Sequence, residues 1–130
     1  ISQGADVIYA AAGGTGVGVL QTAADENILS IGVDSNQNYL HPGKVLTSML
    51  KRVDVAVYES MKAGDKLEGG KVEIFGLAEN GVGYAMDENN AELISKEMEL
   101  AAEKAKADII AGDISVHDYT SDDSCPALSF

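Results

Sequence analysis

The feature that most constrains the fold is a glycine-dense reversal set between two apolar runs. Residues 6–12 read DVIYAAA, Gly13-Gly14-Thr15-Gly16-Val17-Gly18 follows, and a second apolar stretch occupies residues 28–33. An apolar run without polar alternation suits a strand buried on both faces of a parallel sheet. The glycines permit a tight reversal, after which Val19, Leu20, Ala23 and Ala24 recur at helical spacing. Two parallel strands need a crossover, and that crossover is right-handed almost without exception. The pattern therefore predicts adjacent parallel strands at 6–12 and 28–33, joined by a turn at 13–18 and a helix. This is an α/β protein with a parallel sheet flanked by helices.

Pro42 and Gly43 interrupt the next segment. Beyond them Leu46, Leu50, Val53, Val57 and Met61 share one helical face, with Thr47 or Ser48 as a cap, so a helix is expected across 45–61, ended by Gly64. A polar loop at 64–70 leads to an expected strand at 71–77, and 80–84 reads as a Gly-rich bend. Asn89 followed by Glu92 resembles a capping box, opening a helix whose apolar face is Ile94, Met98, Ala101 and Ala105. Asp108-Ile109-Ile110-Ala111 then starts a last strand that runs to Val116. Residues 117–130 carry Asp118, Asp122 and Asp123 without a clear period, so they read as an acidic tail beyond a structured portion at 1–116.

Charge narrows the partners. Nine basic against 21 acidic side chains give a net charge of -12, the wrong sign for holding a phosphate backbone, so nucleic acid is excluded as a partner. With 45% apolar residues among 130, the chain has the material for a core of two or three layers. No run reaches the roughly 20 apolar residues of a membrane helix, and the first residues lack the pattern of a signal peptide. The chain opens at Ile1, and residues 3–6 read as the end of a helix entering a strand, so a portion of a longer protein is expected. Cys125 is the single cysteine; it rules out an internal disulfide and selects no redox compartment.

The chemistry concentrates at one place. The glycine-rich loop and Asp34, at the end of Ile31-Gly32-Val33-Asp34, both fall beyond the carboxyl ends of parallel strands, where α/β sheets bind ligands. A carboxylate there accepts two hydrogen bonds from a vicinal diol such as the 2'- and 3'-hydroxyls of a ribose. A dinucleotide-binding unit shares this order of turn, helix, strand and acid, although Val19 stands where its third glycine belongs. A plain tight turn without ligand also fits the glycines and Asp34. Lys51 sits one place off the Leu50 stripe and reads, on its own, as a solvated helical lysine. His41 and His117 lack partners at metal-ligand spacing. The carboxylates of the tail lack the glycine and closing glutamate of a calcium loop. No catalytic residue, metal or cofactor is assigned.

Taken in order, five pieces resemble the carboxy-terminal half of the basic membrane protein family, whose purine-nucleoside receptors are bilobal solute-binding proteins of ATP-driven importers. They are residues 11–16 (AAGGTG), 31–37 (IGVDSNQ), 45–54 (VLTSMLKRVD), Phe75-Gly76-Leu77 with Gly81-Val82-Gly83, and 110–116 (IAGDISV). The resemblance covers nearly the whole chain. It implies a type I periplasmic-binding fold, two α/β lobes with the solute between them, of which most of the amino-terminal lobe is missing here. Carried over by position, Gly14 lies against the ligand, Asp34 takes the ribose hydroxyls and Lys51 donates to the ribose or base. Thr15 and Asn36 are further ligand-binding candidates, with Gln37 beside them; the family often has a second Asp where Asn36 stands.

The implied function is nucleoside capture, most consistent with a purine, and delivery to a membrane permease, with no bond broken. The implied location of the parent protein is the periplasm or the cell surface, as a bacterial lipoprotein. By the family's topology the segment around 45–61 crosses into the absent lobe, so its apolar stripe stays exposed unless that lobe or a swapped partner covers it. Two other functions remain: an NAD(P)-dependent Rossmann oxidoreductase, and a regulatory module of the same fold that senses a nucleoside.

Overall fold

The computed structural model describes residues 1–125. Strand β1 (Val7–Tyr9) passes through a turn into helix α1 (Thr15–Asp25), which returns the chain to β2 (Leu29–Gly32). A 3-10 turn (Asn38–Leu40) precedes β3 (Val45–Lys51), after which come α2 (Val53–Ala63), a second 3-10 turn (Gly64–Lys66), β4 (Val82–Tyr84), α3 (Lys96–Ala111) and a four-residue helix α4 (Tyr119–Asp122). The strand order is β1-β2-β3-β4. β1 pairs with β2 in parallel, Val7 opposite Leu29, and β2 pairs with β3 in parallel, Ile31 opposite Thr47. The first β-α-β unit is thus as the apolar runs predict. Its helix starts earlier than expected, at Thr15, so Gly16 and Gly18 belong to α1 and the turn proper ends at Gly14. Gly13, at φ 53°, supplies the left-handed residue this reversal needs.

Several expectations fail for identifiable reasons. The sheet is parallel except at one edge, where β4 runs antiparallel to β3 with Lys51 opposite Val82; the expected bend at 80–84 is this strand. The helix expected across 45–61 is two elements. Residues 45–51 lie between two strands and complete the sheet, with Val45 and Ser48 fully buried, and Arg52, at ψ 68°, breaks the backbone before α2 begins. Neither Thr47 nor Ser48 caps a helix: Thr47 Oγ1 donates to the Ala85 carbonyl at 2.8 Å. Tertiary pairing has overridden a stripe that was only apparent.

Residues 71–77 form no strand: they pair with neither outer strand of the sheet, β1 or β4, and Val72 and Ile74 project into solvent. The helix expected from Asn89 begins at Lys96. Ser95 is its cap, accepting from the Met98 amide at 3.2 Å, while Asn90 turns inward. The last expected strand, from Asp108, is instead the final turn of α3, closed by Gly112 in the left-handed conformation, with the Asp113 amide donating to the Asp108 carbonyl. In the expected tail, residues 119–122 form α4, and residues 126–130 lie outside the described residues.

The hydrophobic core is small. Its buried apolar residues among those described are Leu20 and Ala23 of α1 with Val33, Val45 and Ala85. Neither α2 nor α3 buries a residue, and Val53, Val57 and Met61, one face of α2, are all exposed. The accessible surface is 9254 Å², against about 6,600 Å² for a compact monomer of this size. The exposed faces of these two helices and of the loop between α2 and β4 contribute to this excess, as do the exposed residues 112–123.

Candidate functional site

Three parallel strands point their carboxyl ends at one edge of the sheet, and each carries a candidate residue there. β1 leads to Gly14 and Thr15 at the start of α1, β2 leads to Asp34, and β3 ends on Lys51. The topology therefore places Gly14, Thr15, Asp34 and Lys51 at the carboxyl ends of these strands, and brings Asp34 and Lys51 into contact.

The best-defined element is the Asp34–Lys51 pair. The Lys51 amide donates to the Asp34 carbonyl at 2.9 Å, and the Lys51 ammonium lies 3.1 Å from Asp34 Oδ1. Lys51 thus ends a strand rather than lying in a helix, and its side chain is solvated as expected. The two side chains remain 59% and 49% exposed, so the pair adds little to stability and both groups stay reachable by a ligand. Asp34 adopts φ 70°, a left-handed conformation uncommon outside glycine although tolerated by Asp and Asn. Such backbone is kept only where its surroundings fix it, and it is common at ligand sites.

At the start of α1, Gly14 holds the cap position without a side chain to fill it. The Gly16 and Val17 amides bond back to the carbonyls of Gly13 and Gly14. Gly16 is buried, close enough to β1 that a methyl group there would stand 3.5 Å from the Ala10 carbonyl. Val19, at the third-glycine place of a dinucleotide fingerprint, keeps a branched side chain where that fingerprint needs a small one.

Asn36 and Gln37 are placed differently from Asp34. Asn36 Nδ2 donates to Asp87 Oδ2 at 2.6 Å, and its Oδ1 accepts from the Asn38 amide at 3.0 Å. Gln37 Oε1 accepts from the Val33 amide at 2.9 Å. Both side chains are engaged within the protein.

Under this edge lies a polar cluster that the periodicity did not reveal. Ser48 Oγ accepts from the Gln37 amide at 2.9 Å and donates to Asn38 Oδ1 at 2.8 Å. Asn90 Nδ2 donates to the carbonyls of Leu46 and Ala85. Ser48, Asn38 and Asn90 are fully buried, and no buried side-chain polar atom among the described residues lacks a partner. One sequence signal was there to be read: a serine inside the apolar run of β3 demands a hydrogen-bonding partner. The Asp87 carboxyl is held below the usual carboxylate range chiefly by the Asn36 amide; desolvation opposes this next, and bonds from Asn89 and then Asn38 add to the lowering.

Among the described residues no group of His, Cys, Asp and Glu has the geometry to hold a metal ion, and no helix is long and apolar enough to cross a membrane.

Comparison with known proteins agrees with this architecture. The chain is 41% identical over 91 residues to basic membrane protein D of Borreliella burgdorferi, covering 66% of this chain and 27% of that protein. It is 39% identical over 136 aligned positions to a CD4+ T-cell-stimulating antigen of Listeria monocytogenes, covering 88% of this chain and 36% of that protein. A lipoprotein of Pyrococcus abyssi is 41% identical over 91 residues, with 65% and 22% covered. The chain therefore spans about a quarter to a third of the length of these relatives.

Among solved structures, an ABC transporter solute-binding protein from Aeropyrum pernix superposes with a TM-score of 0.70 at 28% identity, over 94% of this chain and 44% of that one. A transcriptional activator of the comK gene from Bacillus halodurans shares the fold, with a TM-score of 0.72 at 24% identity, over 89% of this chain and 40% of that one. A family model described as PnrA-like ABC transporter substrate-binding protein matches residues 1–119, and the chain belongs to that family, Bmp.

Proposed function

We propose that residues 1–116 are the carboxy-terminal portion of a substrate-binding protein that captures a nucleoside between two lobes and hands it to an ABC permease. The observation that carries this reading is the Asp34–Lys51 pair, an acceptor and a donor 3.1 Å apart and half exposed at the edge of a parallel sheet. Asp34 accepts the two hydroxyls of the ribose and Lys51 donates to the ribose or base. Gly14 lets the backbone approach the ligand, and Thr15 lies beside it at the start of α1, where amides face polar groups.

Asn36 belongs to the same edge, its amide already bound to Asp87. The chemistry is binding alone: lobe closure buries the solute, and the closed shape is what the permease recognises. Relatives named as lipoproteins support a location outside the cytoplasmic membrane for the parent protein.

The uncovered faces of α2 and α3 fit a second lobe closing on this one, and contacts from that lobe supply much of the affinity of a clamp. This chain alone should bind nucleosides weakly or not at all. Calorimetry on the complete two-lobed protein tests the reading: adenosine, guanosine or inosine should bind and NAD should not. Binding of NAD without response to any nucleoside would replace this function with a dinucleotide-dependent one.

A further inference from the structure

The loop that carries Asp34 holds a left-handed residue at its start and is held by three links, one within itself and two to other parts of the chain. Gln37 closes the loop on itself through the Val33 amide and anchors it to β3 through Ser48. The third anchor comes from across the sheet. Asn36 Nδ2 and Asn38 Nδ2 both donate to one oxygen of Asp87, at 2.6 and 3.2 Å. The other Asp87 oxygen accepts from the Asn89 amide at 2.7 Å. Asp87 is itself fixed, since its own amide donates to Asn90 Oδ1 at 2.9 Å and Asn90 is wholly buried.

We propose that Asp87 is the positioning residue of this site: it draws Asn36 and Asn38 onto the segment after β4 and so sets where the Asp34 carboxylate meets a ligand. A carboxylate is required there because three N–H groups converge on its two oxygens. An amide at 87 keeps one acceptor oxygen and turns a donor toward a donor. Asn36, its Nδ2 held by Asp87 and its Oδ1 by the Asn38 amide, acts on the ligand through the loop's position rather than by touching it. The proposal rests on the reading of Asp34 as the hydroxyl acceptor.

The test is a thermodynamic cycle on the complete two-lobed protein, with Asp87→Ala, Asp34→Asn and the double variant titrated with a nucleoside and with its sugar-free base. Asp87→Ala should weaken the nucleoside about tenfold, leave the base unchanged, and cost less than about twofold once Asp34 is already Asn. Asp87→Glu should recover part of the loss. Asn36→Ala, which removes the shorter of the two side-chain bonds to Asp87 and leaves that of Asn38, should repeat the pattern with a smaller loss and serves if Asp87→Ala fails to fold.

Hydrogen exchange should quicken at the Val33, Gln37 and Asn38 amides and stay unchanged at Leu20 and Ala23 in α1. Additive losses, or equal losses for nucleoside and base, would make Asp87 a general stabiliser and overturn the proposal. A wild-type protein that binds nucleosides while Asp87→Ala binds equally well overturns it alone, whereas a wild type that ignores nucleosides overturns the functional reading and this one with it.

Discussion

Gly32 and Ser48 face each other in the β2–β3 register so closely that a methyl group on Gly32 would lie 2.6 Å from the Ser48 hydroxyl and 2.9 Å from Gln37 Cβ. The absence of a side chain at Gly32 is what lets Ser48 and Gln37 meet above the sheet and hold the Asp34 loop. Gly32→Ala should therefore act as overpacking and lower stability by about 1–3 kcal/mol, read as a shift in urea midpoint at unchanged slope. Gly18→Ala is the control. Gly18 lies within α1 with nothing inside 4 Å of an added methyl, so it should gain about 0.5–1 kcal/mol from helix propensity alone. Equal effects at the two glycines would show that the close approach at Gly32 carries no energy.

The acid limb of the stability curve should carry a contribution from Asp87. Its pKa is depressed in the folded chain, first by Asn36. The stability it lends is fully present above its unfolded value, about pH 4, and is lost as pH falls through the lower folded value. Asp54, bound by Arg52, and Asp118, bound by Thr120, are depressed as well, so the wild-type curve mixes three groups. Subtraction separates them: the gap between wild type and Asp87→Ala should be constant from neutral pH to about pH 5 and shrink below about pH 4. A gap independent of pH would assign the effect of the substitution to shape rather than to charge.

Helix α3 offers a local test. It buries no residue, so its ends depend on capping more than on packing. Ser95→Ala removes the acceptor of the Met98 amide and should cost the helix about 1 kcal/mol. Because α3 rests so little on the core, the loss should appear as faster exchange at residues 97–99, with the unfolding transition of the sheet unmoved. A coincident drop in sheet stability would show that α3 folds with the core after all.

How much of this was legible depends on the range of the interactions. The β1-α1-β2 unit follows from apolar runs and glycines that are neighbours in sequence, and Asp34 follows from the end of the second run. Val45 to Lys51 deceived because Leu46 and Leu50 mimic a helical face, while the strand they form is fixed by β2 on one side and β4 on the other. The 71–77 segment has strand composition but pairs with neither outer strand of the sheet, and Asn89 has a capping pattern while the adjacent Asn90 is committed to β3. The Asp87 link joins residues 49 and 51 positions apart, a separation no local pattern records; only Ser48, a polar residue in an apolar strand, hinted that such a cluster lay beneath.

The decisive prediction concerns Asp34 itself. In the complete two-lobed protein Asp34→Asn keeps the size of the side chain and a residue type that tolerates φ 70°, so the fold should survive. It removes the charge that strengthens two hydroxyl hydrogen bonds and exchanges one acceptor oxygen for a donor. Hydrogen bonds to charged groups are worth about 1.5–3 kcal/mol each, so nucleoside affinity should fall at least about tenfold. Lys51→Met should weaken binding less, because the ammonium is the more exposed partner of the pair and its contacts are screened by water. The nucleobase without its sugar discriminates between roles: if Asp34 serves the ribose, the base binds poorly to the wild type and hardly notices the Asn substitution. Calorimetric titration of both ligands against both proteins decides it, and equal losses for nucleoside and base would remove Asp34 from the ribose and leave it as the partner of Lys51 alone.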